Sequence, residues 1–138
     1  MSQENVEAFK RDLDAFRRGD FDAWVESFHA DCDFVPRRAP IQGSYRGHAA
    51  LRGFLADNAE SFDLFDPAYE HVRDIGDHVL AIGKLRVRGK ESGVEVEVPS
   101  ALVVTYRDGK AIRFEDFGDK REALKAVGLS EQDAHADS

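Results

Sequence analysis

The hydrophobic period of this chain changes near its middle, and that change limits the folds open to it. Up to Phe62 the apolar residues recur at helical spacing; from Ala68 onward they recur at every second position. Val6, Phe9, Leu13 and Phe16, spaced three, four and three apart, predict a helix from Gln3 to Arg18 that stops at Gly19. Asp20 can cap a second, short helix turning Phe21, Trp24, Val25 and Phe28 to one side. A third helix is expected from His48 to Phe62, through Leu51, Phe54 and Leu55. Between them lie a short strand, Cys32 to Pro36, and a turn-rich loop, Arg37 to Gly43. Strands follow at Ala68–Ile75, His78–Arg88, Val94–Tyr106 and Ala111–Gly118, separated by Gly76-Asp77, Gly89–Gly93 and Asp108-Gly109. Asp119 and Glu122 form a capping-box pattern for a last helix ending at Gly128. The order predicts an α+β domain: a strongly bent, mostly antiparallel sheet closing like a cone over three helices, with an apolar pocket at its open end. The domain is expected over residues 1–129, with a frayed tail over 130–138.

With 138 residues the chain can bury roughly 68% of its unfolded surface without a disulfide or structural metal. Nineteen basic and 27 acidic residues give a net charge of −8, which opposes binding to nucleic acid or anionic membranes. The single cysteine, Cys32, suits a reducing cytoplasm. The polar start Met1–Asn5 is unlike a signal peptide, and no apolar run reaches the length of a membrane span. No His-x-x-x-His spacing or nucleotide-binding loop occurs, so neither a metal nor a cofactor is expected.

The charge pattern suggests strand registers. Arg88 opposite Glu95 and Arg86 opposite Glu97 would pair on the outer face, placing Leu85 opposite Val98 and Gly83 opposite Ser100 inside. A three-residue loop Arg107-Asp108-Gly109 would pair Tyr106 with Lys110 and bring Ser100 opposite Asp116; a two-residue loop shifts the register by one. Asp116 keeps step with Ile112 and Phe114, so it points inward from the last strand. A carboxylate on an apolar face is costly unless something pairs with it or uses it, which makes Asp116 the candidate acid/base. The competing reading is an aspartate bonding its neighbours. Trp24, Phe28, Phe34, Tyr45, Phe54, Leu85 and Phe114 are expected to line the cone, with Tyr45 offering a hydroxyl and Ser100 an accessory donor. Arg37 and Arg38 are placed at the mouth or in solvent. His71 faces either the cavity or a dimer partner; His29 can cap helix carbonyls, His48 opens a helix, His78 sits by a turn and His135 belongs to the tail. Leu80, Ile82, Val103 and Thr105 make the outer face apolar and suggest a homodimer through it.

Several segments together carry a resemblance. Asp12-Leu13, Gly19-Asp20-Phe21-Asp22-Ala23-Trp24, Phe28-His29-Ala30-Asp31, Tyr45-Arg46-Gly47-His48 and Asp108-Gly109-Lys110 follow in the order and spacing of a SnoaL-like domain of the nuclear transport factor 2-like superfamily. The chain resembles this family from about Glu4 to Leu129. The resemblance implies a cone-shaped α+β fold, usually homodimeric, with an interior pocket for a small apolar ligand. Its members include polyketide cyclases, ketosteroid isomerases and limonene-epoxide hydrolases, and fold alone does not choose among them. The epoxide hydrolases need further polar groups where this chain has Gly83, Leu85, Phe34 and Pro36, so that activity is disfavoured. The isomerase base would fall among Cys32, Phe34 and Pro36, and is missing unless Asp33 turns inward. The cyclases, with a single aspartate at the place of Asp116, are the better match. Three functions stay open: cofactor-independent proton transfer on a small apolar or polycyclic molecule, ligand binding without chemistry, and a dimerising module whose pocket is filled by its own side chains.

Overall fold

The computed structural model describes residues 2–36 and 44–130. The loop carrying Arg37 and Arg38, and the tail beyond Ser130 with His135, lie outside the described residues. There are helices α1 (Ser2–Arg17), α2 (Phe21–Glu26), α3 (Gly47–Ser61) and α4 (Lys120–Ala126), and strands β1 (Phe28–Val35), β2 (Tyr45–Arg46), β3 (Phe62–Ile75), β4 (His78–Gly89), β5 (Glu95–Arg107) and β6 (Lys110–Asp116). The strands form one sheet in the order β2-β1-β6-β5-β4-β3, antiparallel throughout except where β1 runs parallel to β6. The sheet curls around α1, α2 and α3 without closing, which is the expected α+β cone. Among the described residues no helix is long and apolar enough to cross a membrane.

The helix ends follow from local chemistry. At the end of α1, Gly19 takes φ +79°, the Gly19 N–H donates to Phe16 O (3.0 Å) and the Asp20 N–H to Ala15 O (2.9 Å). That paired closure satisfies carbonyls the helix would otherwise strand. Gly128 ends α4 the same way, with Gly128 N–H to Lys125 O (3.0 Å) and Leu129 N–H to Leu124 O (2.8 Å). Asp20 caps α2 by accepting from the Ala23 N–H at 3.3 Å, and Asp119 caps α4 by accepting from the Arg121 N–H at 2.8 Å.

Two strands begin earlier than the sequence pattern predicts. β1 starts at Phe28, and a bulge between Phe28 and Asp33 keeps Phe28, Cys32 and Phe34 all buried. β3 starts at Phe62, through Asp63, Asp66 and Pro67, which read as a loop. Because β3 is the sheet's edge, Pro67 is tolerated despite its missing N–H. Asp63 meets Arg88 (2.8 Å) and Asp66 meets Arg17 (3.1 Å) at the surface. Pro99 lies on β5 beyond the last β5–β6 pair, Leu102 with Asp116, and faces Lys84 of β4.

The β4–β5 register agrees with expectation: Arg88 opposite Glu95, Arg86 opposite Glu97, Leu85 opposite Val98 and Gly83 opposite Ser100. The β5–β6 register does not. Asp108 (φ +52°) and Gly109 (φ +80°) form a two-residue turn in which both residues are left-handed, pairing Arg107 with Lys110. Ile112 is then a bulge: Tyr106 faces Ala111, but Thr105 faces Arg113. This extra residue restores the phase, so Phe114 and Asp116 still point inward, while Ala111 takes the inner place expected for Ile112. Asp116 stands opposite Leu102, not Ser100.

Part of the outer face is covered from within the chain. Leu80, Ala101 and Val103 are buried under Ala123 and Leu124 of α4, with Ile82, Phe117 and Val127 around them. The closing helix thus covers Leu80, Ala101 and Val103 of this face within one chain. Leu124 is fully buried there, and Leu124→Ala is expected to lose about 3 kcal/mol in urea unfolding. A loss below about 1 kcal/mol would mean that α4 does not hold this face.

Candidate functional site

Burial of aromatic rings on the inner side of the cone leaves a cavity of 270 Å³ between the helices and the sheet. Trp24 is its hub, with ring centroids 5.2 Å from Phe16, 4.9 Å from Phe28 and 5.7 Å from Phe34. Of the residues expected to line the cone, Trp24, Phe28, Phe34, Phe54, Leu85 and Phe114 do so, and Asp116 looks into the same space. Pro36 and Leu85 add only apolar surface, and Gly83 stands outside the lining. Asp33 faces away, with Arg46 and Arg113 each 3.7 Å from it. Cys32 is fully buried, and burial pushes its thiol up, so it is unreactive.

Two expected site residues are not part of the lining. Tyr45 belongs to the two-residue strand β2 and packs its ring against Phe34 (6.2 Å) and Phe54 (5.6 Å), outside the cavity. Ser100 is 1% exposed and sits behind the wall. Its position is explained by the row Tyr69, Gly83, Ser100 across β3, β4 and β5. Gly83 has no side chain, so Tyr69 reaches over it to place its hydroxyl 2.8 Å from Ser100 Oγ. Ser100 in turn donates to Asp116 Oδ2 at 3.0 Å. A hydroxyl has one proton, so this chain has a direction: Tyr69 donates to Ser100, and Ser100 to Asp116. Tyr69 therefore presents oxygen lone pairs to the cavity. Burial pushes its phenol up; the Ser100 bond opposes that shift and the charge of Asp116 adds to it.

Asp116 accepts two more bonds at Oδ1, from the Gly118 N–H (2.8 Å) and the Ala101 N–H (3.2 Å). The turn after β6 supplies the first and the neighbouring strand β5 the second. The carboxylate is thereby held in one orientation against the cavity.

Reading the sequence missed four polar residues of the cavity: Asp12, Ser27, Tyr69 and Tyr106. Asp12 lies on α1, three residues after Phe9 and four before Phe16, on the helix's apolar stripe. Its side chain is 13% exposed, and Arg11 Nε touches Oδ1 at 3.2 Å. Burial raises its carboxyl from 3.8 to about 6, with Arg11 and a Ser27 hydrogen bond opposing the shift. Tyr106 is beside it, its phenol raised by burial first and by the Asp12 charge second.

The Asp12 shift has a signed consequence for stability. Below pH about 4 the group is protonated in folded and unfolded chains alike, and costs nothing. As pH rises through about 6 the folded chain must ionise a buried acid, so stability falls. Relative to the native protein, Asp12→Asn is expected to gain of the order of 2 kcal/mol between pH about 4 and about 8 in urea unfolding. A constant difference across that range would contradict the shift.

The described histidines lie away from the cavity. His71 is exposed, His48 Nε2 is 2.7 Å from Phe28 O, His78 Nδ1 is 2.9 Å from Thr105 Oγ1, and His29 Nδ1 accepts from the Asp31 N–H at 3.1 Å.

The profile of the SnoaL-like domain family matches residues 9–114. Among solved structures, the chain is similar to a nuclear transport factor 2-like protein of unknown function from Burkholderia pseudomallei, at 20% identity and TM-score 0.77, covering 94% of this chain and 100% of that one. It is similar to TerC, co-crystallised with polyporic acid, at 26% identity and TM-score 0.75, covering 90% and 98%. A third similar structure, from Jannaschia sp. CCS1, is described as a SnoaL-like polyketide cyclase; identity is 24% and TM-score 0.73, over 85% and 86% of the two chains. No functionally curated protein matches the sequence.

Proposed function

The chain belongs to the SnoaL-like domain family, and from that premise we propose that its cavity binds a small, largely apolar organic molecule and transfers a proton on it without a cofactor. The observation that carries this reading is Asp116, an oriented carboxylate in the wall of a 270 Å³ aromatic cavity. Family members are cyclases, isomerases or ligand binders, so the cavity and its acid are where this chain's own role must lie. From TerC comes only the precedent that a chain of this fold holds a small organic molecule.

The chemistry follows from the acceptors. A carboxylate at the wall takes a proton from a carbon acid in the cavity and returns it at another atom, giving isomerisation or ring closure. The hydrogen bonds from Ser100, Ala101 and Gly118 hold Asp116 in position for this. The hydroxyl donor that the sequence placed on Tyr45 is better supplied by Tyr106, which faces the cavity and can donate to a carbonyl or enol oxygen. Asp12, at about 6, is a second group able to exchange a proton near neutral pH.

A second reading, binding without turnover, is favoured by the same three bonds to Asp116, since they also account for the residue structurally. One experiment separates the two. The molecule that copurifies is identified by mass spectrometry, then incubated with the protein in deuterated water. Deuterium uptake or isomerisation supports proton transfer; a ligand recovered unchanged supports binding alone. A protein that carries and takes up nothing contradicts both.

A further inference from the structure

The cavity's polar inventory is one-sided. Asp12 and Asp116 face it, Tyr69 shows it lone pairs because its proton is given to Ser100, and Ser27 adds a neutral hydroxyl 2.5 Å from Trp24 O. Among the described residues that line it there is no lysine, arginine or histidine. Arg11 reaches Asp12, but its side chain is 68% exposed and its charge is spread into solvent. Tyr106 is 6% exposed, lines the cavity and has no partner for its hydroxyl among the described residues. In this wall its hydroxyl stands where a ligand can bond it. The remaining wall is apolar and about half aromatic, and the faces of its rings attract cations.

We infer that the ligand is an organic cation, an amine on an apolar body, with its ammonium group held by Asp12 and the Tyr106 oxygen and its body lying among the rings of Trp24, Phe28 and Phe34. This rests on the proposed binding function and adds the ligand's charge class. An anionic ligand would bring a third negative charge into a site without a cation, where a like charge costs most. A neutral ligand would leave Asp12, when ionised, with only the largely solvated Arg11 as a counter-charge among the described residues. An ammonium group neutralises it and donates to the acceptors already in place.

The test uses three probes of one shape, phenylbutylamine, phenylbutanol and phenylbutyrate, titrated into the full chain near pH 8. The reporter is the fluorescence of Trp24, the chain's only tryptophan, which lies in the cavity wall. The amine is expected to bind roughly tenfold or more tighter than the alcohol, and the acid most weakly. In Asp12→Asn the amine should lose that advantage while the alcohol binds as before. An alcohol or acid that binds as tightly as the amine overturns the charge assignment and leaves the binding reading standing. An amine advantage that survives Asp12→Asn also overturns it. If none of the three probes binds, the binding reading falls, and this one with it.

Discussion

A Gly83→Ala protein is expected to be less stable than the native one by about 3 kcal/mol, near the upper end for overpacking a well-filled interior. A Cβ built at Gly83 would stand 2.0 Å from Ala68 O and 2.6 Å from the Tyr69 Cα. Both obstacles are backbone of the neighbouring strand, so no side-chain rotation relieves them. β3 comes this close because Glu70 is a bulge: Tyr69 pairs with Gly83, but His71 pairs with Ile82. Relief requires β3 to move outward, which also pulls Tyr69 away from Ser100. The substitution should therefore shift the urea midpoint and perturb the cavity together. A Gly83→Ala protein within about 0.5 kcal/mol of the native one would contradict the β3–β4 geometry and the reach of Tyr69 across it.

The second large effect falls on turnover. With the substrate identified, Asp116→Asn is expected to lower its rate by about 100-fold or more, the usual weight of a positioned acid/base. The fold should survive, and the hydrogen bonds explain why. The amide oxygen can keep the Ala101 and Gly118 N–H bonds made by Oδ1. The amide nitrogen then faces Ser100 and donates to it, so Ser100 turns its proton toward Tyr69. The chain of bonds reverses, Ser100 keeps a partner on either side, and Tyr69 turns its proton toward the cavity. Circular dichroism and urea unfolding should thus stay near native while turnover disappears. Turnover at the original rate in a folded Asp116→Asn protein would remove Asp116 from the acid/base role.

How far the sequence disclosed this arrangement depended on how local the governing physics was. The inward aim of Asp116 was legible because it stands two residues from Phe114 on a strand. Its partner strand position was not, since the register depends on a bulge at Ile112, where no glycine or proline marks the place. The β3 start was hidden by Pro67, which reads as a breaker unless β3 is known to be the sheet's edge. With it went Phe65, Pro67 and Tyr69 as one inward row.

Asp12 is the instructive omission. Its spacing from Phe9 and Phe16 puts a carboxylate on the apolar stripe of α1, the same kind of signal that singled out Asp116. Tyr106 was equally available, in step with Leu102 and Val104 on β5. On the apolar outer face, the sequence pattern did not show that Leu124 and Ala123 of the short α4 pack on Leu80, Ala101 and Val103. Tyr45 failed for a different reason: strand β2 is two residues long, and pairing Tyr45 with Phe34 at the sheet's edge turns its ring onto the core's rim.

The most direct measurement is a crystal structure of the protein with its copurified or soaked ligand, at a resolution that distinguishes water from organic density. The account predicts a small organic molecule inside the aromatic cavity, with one of its atoms within about 3.2 Å of the Asp116 carboxylate. A cavity closed by its own side chains, or a ligand seated elsewhere while Asp116 is surrounded by water, would contradict it.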